Sequence, residues 1–145
     1  MNPDNDIAQY LHDNGLGVYN QPFGNNIFLG PLQPPKTNLS GQVTIPTKSI
    51  WVIIGAGAEP DRVFGNAYRT HVTPVQIMVR GDPDKYLEGR DFAQAIWDAM
   101  EAANITGYGY CLAMQEHPVP TGNDMNGNPT WSLNFELLYQ VNITA

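Results

Sequence analysis

A run of strict alternation near the C-terminus constrains the fold of this chain more than any other feature. Between residues 130 and 144, every second residue is apolar: Trp131, Leu133, Phe135, Leu137, Tyr139, Val141 and Ile143. Because successive side chains of a strand point to opposite faces, this pattern predicts a long strand. One of its faces must lie on a core and the other in water. The chain must therefore build a sheet that is covered on one face.

Four other segments carry strand signals. They are residues 25–30, 50–54, 70–80 and 107–116. The run 50–54 is apolar throughout, which predicts a strand that is buried on both faces. Pro74 lacks the N–H that a ladder needs, so it indicates a sheet edge or a bulge.

Two segments have the apolar spacing of helices. The first is short and covers residues 4–14, with Asp4 or Asp6 able to cap its N-terminus. The second covers residues 83–103, with Asp82 at the N-cap and Pro83 at the first helical position. We therefore expect one long helix and one short N-terminal helix.

These elements favour the α+β class, with a mainly antiparallel sheet and both helices packed on one face. The length of 145 residues suits a single domain, residues 1–145. Two long loops interrupt the elements, a Pro-rich one at 31–48 and one rich in turn formers at 117–129. The second loop is expected to project from the sheet.

Charge is scarce and unevenly placed. Charged residues form 14% of the chain, against roughly 25% in an average domain, and the net charge is −7. All seven bases fall within residues 36–90, while residues 91–145 hold six acids and no base. Tight binding to duplex DNA needs clustered Lys and Arg, so this composition argues against it. An acidic surface is still suited to lining a passage for DNA, because it repels the phosphates.

The sequence predicts neither export nor membrane insertion. Its N-terminus is acidic and no apolar stretch follows, so we expect no signal peptide. No run approaches the roughly 20 apolar residues that cross a bilayer. The single cysteine, Cys111, lies in an apolar run and is expected to be a small buried hydrophobe.

No group of residues has the spacing of a catalytic, cofactor or metal site. His12, His71 and His117 are far apart in the sequence, which argues against a metal centre. The string 55–58 (GAGA) lacks the third glycine of a dinucleotide loop. Asp124 lies in an Asn/Gly-rich string without the spaced acids of a calcium loop.

Carboxylates are the one plentiful functional group. Asp82, Asp84, Glu88 and Asp91 surround the start of the main helix, where the helix dipole explains them without catalysis. We therefore predict that the protein is not an enzyme, with no catalytic, cofactor-binding or metal-binding residues and no cofactor.

The block from Val72 to Met100 carries a family resemblance. A strand at residues 75–81 runs through a polar turn into the helical string YLEGRDFAQAIWDAM at 86–100. This block, the opening helix around residues 7–11 and the aromatic closing strand resemble the tail-terminator and minor capsid proteins of long-tailed bacteriophages. The resemblance covers most of residues 5–143, and the extended 31–48 loop departs from it.

The resemblance implies an α+β structural protein of the virion, assembled in the host cytoplasm. Such proteins form a ring, commonly of six subunits, that caps the head-facing end of the tail tube. The expected partners are other copies of the chain, the tail tube protein and the head–tail connector, and DNA passes through the lumen without specific binding. We expect edges of the strands 107–116 and 130–144 to supply the contacts between subunits.

Three alternatives stay open at the level of sequence. A head-completion or neck protein between portal and tail belongs to the same class. A small cytoplasmic enzyme that uses Asp or Glu, and a cytoplasmic ligand-binding domain, belong to different classes.

Overall fold

The computed structural model describes residues 2–22, 24–30, 48–57, 61–62, 68–124 and 127–142. Within these ranges the chain has two helices and a seven-stranded sheet, so the predicted α+β class is confirmed. The helices are α1 (Pro3–Asp13) and α2 (Tyr86–Met100). The strands are β1 (Ile27–Leu29), β2 (Ser49–Ile54), β3 (Asp61–Arg62), β4 (Tyr68–Arg80), β5 (Tyr110–Ala113), β6 (Val119–Asn123) and β7 (Pro129–Asn142).

The strand order is β1-β2-β4-β7-β5, with β3 beside β4 and β6 beside β7. Each of these pairs is antiparallel except β1 with β2, which is parallel, so the sheet is mixed. Two parallel neighbours need a crossover between them, whereas a short turn suffices for an antiparallel pair. The predicted loop 31–48 falls between β1 and β2 in the sequence, and its residues 31–47 lie outside the described residues.

The longest pairing joins β4 to β7. It runs without a break from Tyr68 opposite Asn142 to Arg80 opposite Thr130. The alternation predicted for 130–144 is confirmed over the first part of β7. Its core-facing side chains are at most 1% exposed, namely Trp131, Leu133, Phe135 and Leu137.

Both helices pack on the face of the sheet that carries these side chains. Each helix contributes three side chains to the core. They are Ile7, Ala8 and Leu11 of α1, and Ala93, Ile96 and Met100 of α2. They meet Ile50 and Val52 of β2 and Val75, Ile77 and Val79 of β4. Apolar burial of this extent is the main force that holds helix and sheet together.

The α2 helix is shorter than the predicted 83–103. It begins at Tyr86 because Asp84 adopts a left-handed conformation, with φ of 59°, that no helix accommodates. Lys85, and not Asp82, therefore occupies the N-cap position, and its side chain makes no capping bond.

At the other end, α2 stops at Met100 and not at residue 103 because the next two residues bond to a strand. The Ala102 amide donates to the Cys111 carbonyl at 2.9 Å, and a Glu101 carboxylate oxygen accepts from the Ala113 amide. Glu101 is extended, with ψ of 123°, and Ala102 has a φ of 56°. The chain thus leaves the helix in order to bond to β5.

Two predicted boundaries near the C-terminus are wrong. The strand expected at 107–116 is reduced to Tyr110–Ala113, since Gly107 has a φ of 91° and the chain bends over residues 114–117, with Met114 making the last backbone bond to β7. The projecting loop expected at 117–129 contains β6, which pairs with the start of β7. A hairpin therefore lies where the sequence indicated an irregular connection.

The prediction that Pro74 marks a sheet edge or a bulge is wrong, because β4 lies between β2 and β7 and pairs with β7 through Pro74 without a bulge. The Gly55 amide donates to the Pro74 carbonyl at 2.9 Å just beyond the last residue of β2. The reciprocal hydrogen bond, to the Gly55 carbonyl, would need an N–H that Pro74 lacks. Gly55 lies beyond the end of β2, so this missing bond falls outside the β2–β4 pairing. Proline is tolerated because no ladder bond inside β2 depends on it.

Arg80, at the end of β4, holds the β6–β7 turn. Its Nε lies 2.7 Å from a carboxylate oxygen of Asp124, and one terminal nitrogen donates to the Asn128 side chain at 2.8 Å. The Asn128 amide group in turn donates to the Gly81 carbonyl. A buried arginine needs this full set of partners, because an unpaired charge in a protein interior is strongly destabilising.

The closest approach of α2 to the sheet is made at Gly89. A Cβ placed on this residue would lie 2.6 Å from the ring of Trp131, well inside contact distance. The ring of Tyr86, one turn earlier, packs tilted on the same indole at a centroid distance of 5.4 Å. A glycine in the helix therefore lets the largest buried side chain sit directly against the helix backbone.

We predict that Gly89→Ala lowers the free energy of unfolding by up to about 2 kcal/mol. Crowding of the indole costs about 1–3 kcal/mol and outweighs the roughly 1 kcal/mol that alanine gains in helix propensity. Chemical denaturation followed by tryptophan fluorescence measures the change. Glu88→Ala, on the exposed side of the same turn, is the control and should change stability by less than about 0.5 kcal/mol. An increase in stability for Gly89→Ala would contradict the packing described.

Candidate assembly surface

The sheet has a second face that neither α1 nor α2 covers. On it, Val72 of β4 lies opposite Leu138 of β7, which lies opposite Tyr110 of β5. In the next row Pro74 lies opposite Glu136, which lies opposite Leu112. We call these six residues the Glu136 patch: Val72, Pro74, Tyr110, Leu112, Glu136 and Leu138.

The Glu136 patch is apolar apart from the carboxylate after which it is named. Val72 and Leu112 are 37% and 42% exposed, which is high for aliphatic side chains on a sheet. Directly opposed side chains lie about 5 Å apart, so the partly buried Glu136 is flanked on both sides by apolar groups. Within the described part of the chain, no base pairs with Glu136.

A cluster of amides borders this patch and satisfies its own hydrogen bonds. Gln76 donates to the Ser132 hydroxyl at 3.0 Å, and Asn134 donates to the Gln115 side chain at 2.8 Å. Gln115 also donates to the Ser132 carbonyl. Because these groups bond to one another, they divide the second face and leave the Glu136 patch as a separate apolar area.

The other half of this face carries a buried tryptophan. Trp51 is only 4% exposed, lies opposite Met78 of β4 and contacts the ring of Phe28 at a centroid distance of 5.4 Å. The prediction that residues 50–54 are buried on both faces is thus confirmed for Ile50, Trp51 and Val52.

A second exposed apolar group lies at the start of α2, on the opposite side of the sheet. Tyr86 and Leu87 are 47% and 61% exposed, and the exposed Lys85 precedes them. We call these three residues the Lys85 cluster. No carboxylate forms an ion pair with Lys85 among the residues that the structure describes.

The edge of the sheet at β5 is occupied. In this antiparallel pair Tyr110 and Leu112 bond to β7, so the amides and carbonyls of Cys111 and Ala113 point outward. Ala102 and Glu101 take one carbonyl and one amide of those four groups. A neighbouring strand would have to displace both bonds, so β5 is a poor site for edge pairing.

The remaining part of this edge is β6, which is protected in another way. Its residues are exposed throughout, Pro120 is its second residue, and its pairing with β7 is irregular between Pro120 and Gly122. Proline and a bulge both interrupt the regular ladder that an added strand would need. The expectation that strand edges supply subunit contacts stays a prediction, and these observations count against this edge.

The structure does not bring the three histidines together. His12 accepts a hydrogen bond from the Tyr19 amide, His71 stacks on Tyr139 at 5.0 Å, and His117 is exposed on the bend before β6. Across the described ranges, no three His, Cys, Asp or Glu side chains are grouped as metal ligands. The Asp124 carboxylate is engaged by Arg80 and by the Asn128 amide.

The acids around α2 are also separate from one another. Asp82 and Asp84 lie in the turn before the helix, outside its first residue, while Glu88 and Asp91 are exposed on its surface. Asp91 lies 3.9 Å from Arg90 in a surface ion pair, which contributes little to stability.

Sequence reasoning missed the Glu136 patch although a signal for it exists. The alternation of Tyr108, Tyr110, Leu112 and Met114 is that of a core-facing set. In the structure the core side of β5 is taken by Cys111, and Leu112 and Met114 are exposed. The apolar alternation on this short edge strand therefore marked an exposed apolar surface and not a core face. The sequence does not say which face of the strand packs on the core.

A depression of about 370 Å³ adjoins the patch. It is lined by residues 107–109 and 138–140 and shares Leu138 with the patch. It offers a recess beside an apolar area, where a side chain of another molecule can insert.

Comparison with known proteins does not assign this chain to a family. No family model matches it, and no curated protein matches its sequence. None of the helices in the described residues has the length and apolar character needed to span a membrane.

Cys111 is buried on the core side of β5, as expected from its apolar surroundings. Burial, together with the nearby Glu101 carboxylate, raises the pKa of its thiol to about 12. The thiolate is the reactive form, so the folded protein holds this thiol in an unreactive state at neutral pH.

We predict that Cys111 resists alkylation by iodoacetamide at pH 8 in the folded protein and reacts fully in denaturant. Mass spectrometry of the intact chain counts the adducts. Cys111→Ala combined with Met114→Cys is the matched control, because it moves the thiol three residues along to an exposed position outside the Glu136 patch and should react without denaturant. Rapid alkylation of the native protein would contradict the burial of Cys111.

Proposed function

We propose that this chain is a structural protein of a long-tailed phage, a tail terminator. Copies of the chain assemble into a ring. The family resemblance implies six subunits. The ring caps the head-proximal end of the tail tube and joins it to the head connector. DNA passes through its lumen without specific binding.

The observation that carries this proposal is the presence of two exposed apolar groups on opposite sides of the protomer. The Glu136 patch lies on the helix-free face, and the Lys85 cluster lies on the face that carries α2. Surfaces that differ and lie on opposite sides favour head-to-tail association, which closes into a ring when the rotation between copies permits. Exposed apolar groups that cluster, as in the Glu136 patch, are typical of interaction surfaces, whereas singly scattered ones are common on any protein.

The charge of the chain supports the same function. Six copies carry about −42 formal charges at neutral pH, and an acidic lumen repels the DNA backbone. A ring that must let DNA slide through is better served by repulsion than by the basic grooves of DNA-binding proteins.

The elements on which the sequence resemblance rests form a contiguous unit. The end of β4, the turn 81–85 and α2 follow one another as strand, turn and helix, and Trp131 locks the helix on the sheet. This agreement supports the proposed family at the level of local structure, since the resemblance concerns elements and residue types.

We predict that the purified protein forms a discrete ring, observed as a single mass well above 16 kDa and as closed rings in two-dimensional class averages. In the virus, tails assembled without this protein should lack length control and fail to join heads. Mass determination in solution and electron microscopy of tails measure the two effects.

Tails of normal length in the absence of the protein would contradict the terminator function. Tails of normal length that fail to attach to heads would instead favour a neck protein between portal and tail. Labelling of the protein in intact virions provides the control, because a terminator must lie at the junction of tube and head.

A further inference from the structure

We propose that the Lys85 cluster of one protomer docks on the Glu136 patch of the next, a second copy of this chain. The contact joins Lys85 to Glu136 and seats Tyr86 and Leu87 among the apolar side chains around that carboxylate. This inference rests on the proposed function, because it names the interface through which the ring closes.

Charge and apolarity are complementary between the two surfaces. The Glu136 patch presents one carboxylate within an apolar area, and the Lys85 cluster presents one ammonium beside two exposed apolar side chains. Burying Glu136 under an apolar partner alone would leave an unpaired charge, which is strongly unfavourable. The occupant of the patch must therefore bring a cation together with apolar surface.

The chain offers few other bases for this role. Lys48 lies over the Phe92 ring at 4.3 Å, Arg80 is paired with Asp124 in the β6–β7 turn, and Arg90 lies beside Asp91. Arg69, in β4, is only partly exposed. Lys85 is exposed, forms no ion pair among the described residues and precedes two exposed apolar side chains. It is therefore the cation that fits Glu136.

The positions of the two surfaces require head-to-tail docking. They lie on opposite faces of the sheet, with the Glu136 patch at the middle of β4 and the Lys85 cluster beyond its C-terminal end. From Pro74 to Arg80, which borders the turn before Lys85, the strand rises roughly 20 Å. One protomer cannot make this contact with itself, so each copy gives its Lys85 cluster to one neighbour and receives the cluster of another.

The recess beside the patch fits an aromatic or branched side chain. It adjoins Leu138, at the edge of the patch, and has a volume of about 370 Å³. Tyr86 or Leu87 of the neighbour would occupy it, as anchor side chains fill recesses at the centre of protein interfaces. Because the edge of β5 is already hydrogen-bonded, docking of the Lys85 cluster on the Glu136 patch is favoured over pairing of strands at that edge.

The test uses the charge variants Glu136→Lys and Lys85→Glu of the full chain. Each places like charges at every contact between copies, so each should raise the concentration for half-assembly by at least about tenfold. Native mass spectrometry and light scattering measure assembly, and circular dichroism verifies folding. Asp13→Lys is the matched control, because it makes the same change of charge as Glu136→Lys at an exposed position of α1. It should assemble as the unaltered protein does.

A mixture of the two variants gives the sharper result. When protomers of E136K and K85E alternate around a ring, opposite charges face each other at every contact. Equimolar mixing should therefore restore a ring with an even number of subunits, and the double variant E136K/K85E should assemble alone. A substitution that merely damaged the fold would not be rescued by another damaged chain.

The outcomes separate this inference from the proposed function. If the unaltered protein stays monomeric at all concentrations, both the ring and this interface are wrong. If it forms a ring that E136K and K85E leave intact, the ring stands and this interface is wrong. If both variants fold but neither their mixture nor the double variant assembles, the pairing of these two surfaces is wrong.

Discussion

The pairing of β4 with β7 is the constraint on which the rest of the fold depends. Thirteen residues of one strand face thirteen of the other without a break, and this register fixes every other element. It places Val75, Ile77 and Val79 beside the apolar side chains of β7, so one face of the sheet becomes a core. It also brings Glu136 between Pro74 and Leu112 and thereby creates the proposed docking area on the other face.

The α2 helix is fixed to that core near both of its ends. These two attachments determine which of its side chains stay exposed. Gly89 allows Trp131 to lie against the helix backbone, and the residues after Met100 bond to β5. The helix is therefore short, and the outer side of its first turn leaves Tyr86 and Leu87 exposed, although the Tyr86 ring also packs on Trp131. Closing the β5 edge and exposing the helix start are two consequences of the same arrangement, and both favour assembly through faces.

Much of the fold was predictable because its signals are local. Alternation predicted β7 and its buried side chains, and helical spacing located α1 and α2 to within three residues at each end. The misses have non-local causes. The helix ends where Ala102 finds a partner in Cys111, and β6 forms because Arg80, more than forty residues away, fastens Asp124 and Asn128.

Composition and periodicity alone specified an acidic α+β chain with one strongly two-faced strand, because charge and side-chain alternation are properties of each residue and its near neighbours. They did not specify which apolar residues stay exposed. Leu112 and Cys111 are adjacent and both apolar, yet one faces solvent and the other the core. That choice is made when β5 pairs with β7, since the register of a strand decides the face of each side chain, and register is a contact between distant parts of the chain.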